Sequence, residues 1–233
     1  MQVADRVEQR RFVGREFLLY LWFESELFDG TLDAGGREIG LFLGGELTLT
    51  LGKERTRISG VRPSMSAEAR EALLAGKLPE SAGLELTLGE RELRCVLHAD
   101  RLALARLTLP PKDDEAEAPP AAATPPRPPR RKRRRESSPD EDAREAEAEL
   151  EERHLLIDER MSLAAEVEDV VEALYRRFLA LRLGPAWDAA VLPALRAFAA
   201  GTPPDADEYL RTLERARDAK PPGRGARRRQ RDS

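Results

Sequence analysis

GREFLLYLWFESEL, residues 14–27, holds the densest cluster of aromatic side chains in the chain. Phe17 to Phe23 are seven consecutive apolar residues, flanked by Arg15-Glu16 on one side and Glu24, Ser25 and Glu26 on the other. A helix that is apolar on nearly every side belongs inside a protein, so this stretch predicts a buried helix. Seven residues are too few to span a bilayer, and the charged segment Met1 to Arg11 before them carries no cleavage-type site. Export and membrane insertion are therefore not expected, and a cytoplasmic protein is.

Working outward, Gly30 and the Gly35-Gly36 pair end this helix, and from Glu38 the hydrophobic period changes from helical to two. Leu47, Leu49 and Leu51 alternate with Glu46, Thr48 and Thr50, the pattern of a strand with one wet face. Gly52 to Glu54 predict a hairpin turn, beyond which Arg55, Arg57 and Ser59 share one face and Ile58 takes the other. Ser66 to Ala75 read as a short helix capped by Ser66 and stopped by Gly76. Leu84, Leu86 and Leu88, then Gly89, then Leu93, Cys95 and Leu97 predict a second hairpin. A last strand over Leu102 to Leu109 slips parity near Arg106, as a bulge would make it do, before Pro110-Pro111.

Residues 110–137 hold almost no large apolar side chain and are rich in Pro, Ala and charge, so they predict a disordered linker. Ser138, Pro139 and Glu141 then combine an N-cap, a first-turn proline and a capping-box acid. No breaker follows until Gly184, which predicts a helix of roughly 45 residues, about 67 Å long at 1.5 Å per residue. Ala143 to Arg153 are nearly all charge and alanine, whereas Leu163, Val167, Val170, Leu174, Phe178 and Leu181 make an apolar stripe. Pro185 opens another helix with Trp187, Val191 and Leu192, restarted at Pro193, and Asp205 to Ala219 form the last one. The expected fold class is α+β: an N-terminal helix on a small antiparallel sheet over 1–109, the linker, a helical region over 138–219 and a basic tail over 220–233. Trp22 and Trp187 fall where core anchors belong.

The residues offer little for catalysis. Cys95, the one cysteine, sits on the apolar parity of its strand, so neither an intrachain disulfide nor a cysteine metal cluster is possible and an inert core thiol is expected. His98 and His154, the two histidines, have no sequence neighbours that suggest a triad or a metal site. Gly44-Gly45, Gly52-Lys53 and Gly76-Lys77 do not make a phosphate loop and read as turns. Acids such as Glu24 with Glu26, or Asp140 to Asp142, read as solvating charge. A non-catalytic protein without metal or cofactor is the expectation.

The arginines carry the most information. The formal charge of −4 conceals segregated blocks, and RPPRRKRRR places Arg127, Arg130, Arg131, Lys132, Arg133, Arg134 and Arg135 within nine residues. Each phosphate contact made by such a run releases counterions and gives affinity without sequence preference. Lys53, Arg55 and Arg57 would add a folded basic patch, although a strand with one wet face puts polar residues there in any case. A nucleic-acid partner, bound through its phosphates, is expected from these residues. The alternative is an interaction module whose Leu163 to Leu181 stripe pairs with a partner or a second copy, the arginines then serving solubility or docking.

Three stretches, GREFLLYLWFESE (14–26), EAREALLAGKLP (68–79) and LYRRFLALRLGPAW (174–187), resemble, in this order, the C-terminal part of diverged members of the recombination-associated RdgC family. The resemblance implies a bacterial, nucleoid-associated protein that binds duplex DNA without sequence preference, closes as a ring-like homodimer, limits access of recombination proteins and has no enzyme activity. The family's large N-terminal portion has no counterpart before residue 14, and the arginine-rich linker is not part of its pattern.

Overall fold

The aromatic run lies within helix α1 (Val3–Leu27). The computed structural model describes residues 3–108 and 139–218, with side chains over 13–108 and 154–218. After α1 come β1 (Thr31–Asp33), β2 (Glu38–Leu51), β3 (Glu54–Gly60), a 3-10 turn at Pro63–Met65 and α2 (Ala67–Leu74). Strands β4 (Leu78–Leu88), β5 (Arg91–His98) and β6 (Ala103–Thr108) complete the sheet. The remaining helices are α3 (Pro139–Arg182), α4 (Leu192–Ala199), entered through a wide π-type turn at Trp187–Val191, and α5 (Ala206–Asp218). The expected linker, the Ser138 cap and the basic tail lie outside the described residues.

All neighbours in the sheet are antiparallel, in the order β1-β2-β4-β5-β6, with β3 also paired to β2. The alternation that predicted the strands sorts most of their side chains, but not the end of β2: Thr48 and Thr50, expected on the wet face, are buried at 3% and 7%, and Leu51, expected inside, is 49% exposed. Ile39, Leu41, Leu43, Leu47 and Leu49 of β2, Leu84 and Leu86 of β4, and Leu93, Cys95 and Leu97 of β5 are buried, and α1 packs on β2 and β4. Gly52-Lys53 make the two-residue turn between β2 and β3, Gly52 at a φ of 61°. Ser66 caps α2, its hydroxyl accepting from the Ala69 amide at 3.1 Å. Arg106, at a φ of 53°, stands where the β5–β6 register jumps, so the parity slip is a bulge.

Gly44-Gly45 are not a turn. They lie inside β2, where the register passes from Leu43↔Leu84 to Leu47↔Ala82 and Gly45 takes a φ of 74°. A bulge uses the same left-handed glycine conformation as a turn, so composition does not tell the two apart. The bulge also brings the Gly44 carbonyl so close to Gly83 that a Cβ there would lie 2.1 Å from its oxygen.

Burial on every side of α1 takes two partners. Phe17 to Phe23 are each 8% exposed or less. Away from the sheet, Phe17 meets Tyr175 and Phe178 at centroid distances of 5.1 and 5.4 Å, and Tyr20 meets Phe178 at 5.5 Å. Trp22 and Phe23 pack on Phe198 of α4, and Phe23 on Tyr209 of α5 at 5.2 Å. Among the described residues, those up to Thr108 and those from Glu168 to Asp218 accordingly form one compact unit. The sequence division into an α+β part and a helical part therefore does not divide the core, because α1 needs both.

Gly14 sits where α1 meets the turn after β5: a Cβ at this position would lie 1.9 Å from the Ala99 carbonyl oxygen. Gly14→Ala should destabilise the protein by about 1–3 kcal/mol, despite alanine's better helix propensity. Urea unfolding reads this as a lowered midpoint; an unchanged or raised midpoint would contradict the close approach.

Candidate nucleic-acid interface and a buried ion pair

Lys53 occupies the tip of the β2–β3 hairpin, exposed and without an ion-pair partner among the described residues. Arg55 and Arg57 follow on β3, their side chains 63% and 64% exposed. Each finds a carboxylate: Arg57 pairs with Glu46 at 2.6 Å and Arg55 with Glu80 at 3.6 Å. Neither carboxylate is theirs alone. Arg106 reaches the other oxygen of Glu46 at 3.3 Å, and Arg15 reaches Glu80 at 4.0 Å. Four guanidiniums thus share two carboxylates, so this cluster carries more positive than negative charge.

The Arg106 contact also crosses the sheet. Arg106 is on β6, with β5 and β4 between it and the β2 strand of Glu46. Three strand steps amount to about 14 Å, so the long side chains of Arg106 and Glu46 meet by reaching across the two strands between them. Strand parity marks Lys53, Arg55 and Arg57 but not Arg106 and Arg15, because nothing in linear spacing signals a contact across that many strands or from α1. The positions of Arg127, Arg130, Arg131, Lys132, Arg133, Arg134 and Arg135 lie outside the described residues.

The other singled-out residues sort simply. Cys95 is 3% exposed, and burial pushes its thiol up to about 11, which keeps it protonated and unreactive at neutral pH. His98 is half-buried on β5 opposite Ser81, and His154 is exposed on α3. Among the described residues no group of three or more His, Cys, Asp or Glu is placed to hold a metal ion. The apolar stripe of α3 is used inside the chain: Leu163, Val167, Val170, Leu174, Phe178 and Leu181 are all 7% exposed or less.

Glu24 departs from expectation. It is not solvating charge but fully buried, its Oε1 accepting from the Arg177 Nη2 of α3 at 2.9 Å. Arg177 Nη1 donates to the Asp33 carbonyl at 3.0 Å, so this guanidinium ties α1 and β1 to the long helix. Glu24 Oε2 and the hydroxyls of Tyr20 and Tyr209 are buried without a well-formed hydrogen bond, the Tyr20 hydroxyl lying near enough to Glu24 to act on its charge. Desolvation raises the Glu24 carboxyl above its ordinary 4.5, with the Arg177 charge pulling down without cancelling it. Both phenols are raised, first by burial and then by the Glu24 charge. Nothing in a Glu at the end of an aromatic run signals a buried pair, since its partner lies 153 positions away.

Comparison with known proteins adds no assignment: no family model, curated protein or solved structure matches this chain.

A raised carboxyl pKa means that the folded state keeps a proton which the unfolded state releases earlier, so stability attributable to Glu24 declines as pH rises above 4.5 through the folded value. Removing Arg177 deepens the effect. Arg177→Met should cost about 3 kcal/mol at pH 7.5, where Glu24 is left as an unpaired buried charge, and distinctly less at pH 5. Chemical denaturation at the two pH values measures it; an equal loss at both would show that Glu24 does not titrate in this window.

Proposed function

We propose that this chain binds duplex DNA without sequence preference and acts by occlusion or compaction, as a nucleoid- and recombination-associated protein of the kind that its likeness to RdgC suggests. The observation that carries the reading is the sharing of two carboxylates among Arg15, Arg55, Arg57 and Arg106 beside an unpaired Lys53. An exposed ion pair contributes at most about 1 kcal/mol, so a phosphate readily takes a guanidinium from Glu46 or Glu80. Arg127 to Arg135, which follow β6 in the chain, supply seven more cations. Contacts of this kind read the backbone and not the bases. The chain has no catalytic role in this reading, needs no metal or cofactor, and acts in the bacterial cytoplasm as a homodimer. Among the described residues no single helix is long and apolar enough to cross a membrane.

An interaction role for α3 has one observation in its favour. Leu155, Ile157 and Met161 are 71%, 55% and 68% exposed, while the stripe that sequence reading offered to a partner is buried.

A duplex-DNA titration at several salt concentrations tests the proposal. The intact protein should bind with affinity falling steeply with salt, each lost phosphate contact lowering the log–log slope by about 0.9. Replacing Arg127 to Arg135 with Gly and Ser should flatten the slope most, and Arg55→Gln with Arg57→Gln should flatten it by a further step or two. Absence of binding at low salt would overturn the reading; salt-insensitive self-association lost with Ile157→Ser and Met161→Ser would support the interaction role instead.

A further inference from the structure

A cavity of about 340 Å³ opens beside the end of α3, lined by Arg177, Ala180, Leu181, Gly184, Pro185, Ala186 and Arg217. Its walls are apolar apart from two guanidiniums, and no acid lines it. Arg177 is held from behind, Nη2 by Glu24 and Nη1 by the Asp33 carbonyl, with about a quarter of its side chain still exposed. A guanidinium has five N–H donors, so this one arrives positioned and with donors to spare. Arg217, on the last turn of α5, is exposed and has no hydrogen bond or ion pair among the described residues. The charge of Arg217 reaches Glu24 without pairing with it, whereas Arg177 makes the ion pair.

We propose that this cavity binds a small organic carboxylate: its carboxylate spans Arg177 and Arg217, and its apolar body lies against Leu181, Pro185 and Ala186. The chemistry of the lining selects this class. Two planar, forked donors match the two oxygens of a carboxylate, while apolar walls reward a hydrocarbon body that a hydrated inorganic ion lacks. The volume admits a ring or a short alkyl chain. The site is independent of the DNA reading, since none of its residues belongs to the hairpin patch.

Benzoate is the probe, titrated against the full chain at constant ionic strength, with chloride and inorganic phosphate as comparisons. The expected result is a saturable rise in melting temperature and a saturable heat of binding for benzoate that neither comparison ion reproduces. Arg217→Gln, at an exposed position, should lower the melting temperature of the free protein only slightly, through the lost pull on Glu24, and weaken benzoate roughly ten-fold or more, as loss of a charged hydrogen bond does. Ala180→Leu, also exposed, fills the cavity without touching either charge and should abolish binding. Equal affinity in Arg217→Gln, or a response that phosphate reproduces, would overturn the proposal; so would displacement of benzoate by duplex DNA, which would assign the two arginines to a phosphate backbone.

Discussion

Helix α1 has no side to give to water along Phe17 to Phe23, and the rest of the structure answers that constraint. The sheet covers it through β2 and β4, and Tyr175, Phe178, Phe198 and Tyr209 cover it from the other direction. Two parts of the chain separated by about sixty residues thus share one helix as their common core. Full burial also traps the charge at the end of the aromatic run. Glu24 cannot reach solvent, so α3 brings Arg177 to it; the neighbouring Glu26 takes Arg70 of α2, whose guanidinium lies 4.7 Å from the Phe198 ring. Arg182 pairs with Glu16 at 2.9 Å and stacks on Trp187 at 4.8 Å. Each pair joins α1 to an element that the aromatic residues already hold, which fixes register where apolar packing alone would allow sliding.

Much of this was legible in the sequence, for a physical reason: local rules are written in local residues. Period-two alternation placed β2, β4 and β5, the Ser66 cap and Gly76 bounded α2, and the lost parity at Arg106 marked its bulge. The α+β class and the long helix ending before Gly184 followed from the same signals. What stayed hidden depends on distant partners. The start of β4 was missed because Pro79, Ser81, Ala82 and Gly83 are all buried and show no alternation. Gly44-Gly45 looked like a turn because bulges and turns ask the same of glycine. The shared core went unseen because a helix apolar on every side declares that it is buried, not by what.

The candidate site divides similarly. Lys53, Arg55 and Arg57 were visible from strand parity, but the competition for Glu46 and Glu80 is a tertiary fact and sets the electrostatics of the patch. An arginine with a carboxylate to itself is nearly neutral at a distance, whereas two arginines on one carboxylate leave a charge in excess. Arg106 of β6 adds to that charge by reaching across β5 and β4 to Glu46. A polyanion is the natural complement of such a surface, and weak exposed pairs are easily exchanged for phosphate contacts.

Native-state hydrogen exchange on a Phe178→Ala variant tests the shared core most directly. Phe178 touches Phe17, Tyr20 and Trp187 but belongs to no strand. If α1 couples the sheet to the C-terminal helices, the β4 and β5 amides must lose as much protection as those of α3, by about 3–5 kcal/mol. Sheet amides that kept their full protection while the helices lost theirs would contradict the account.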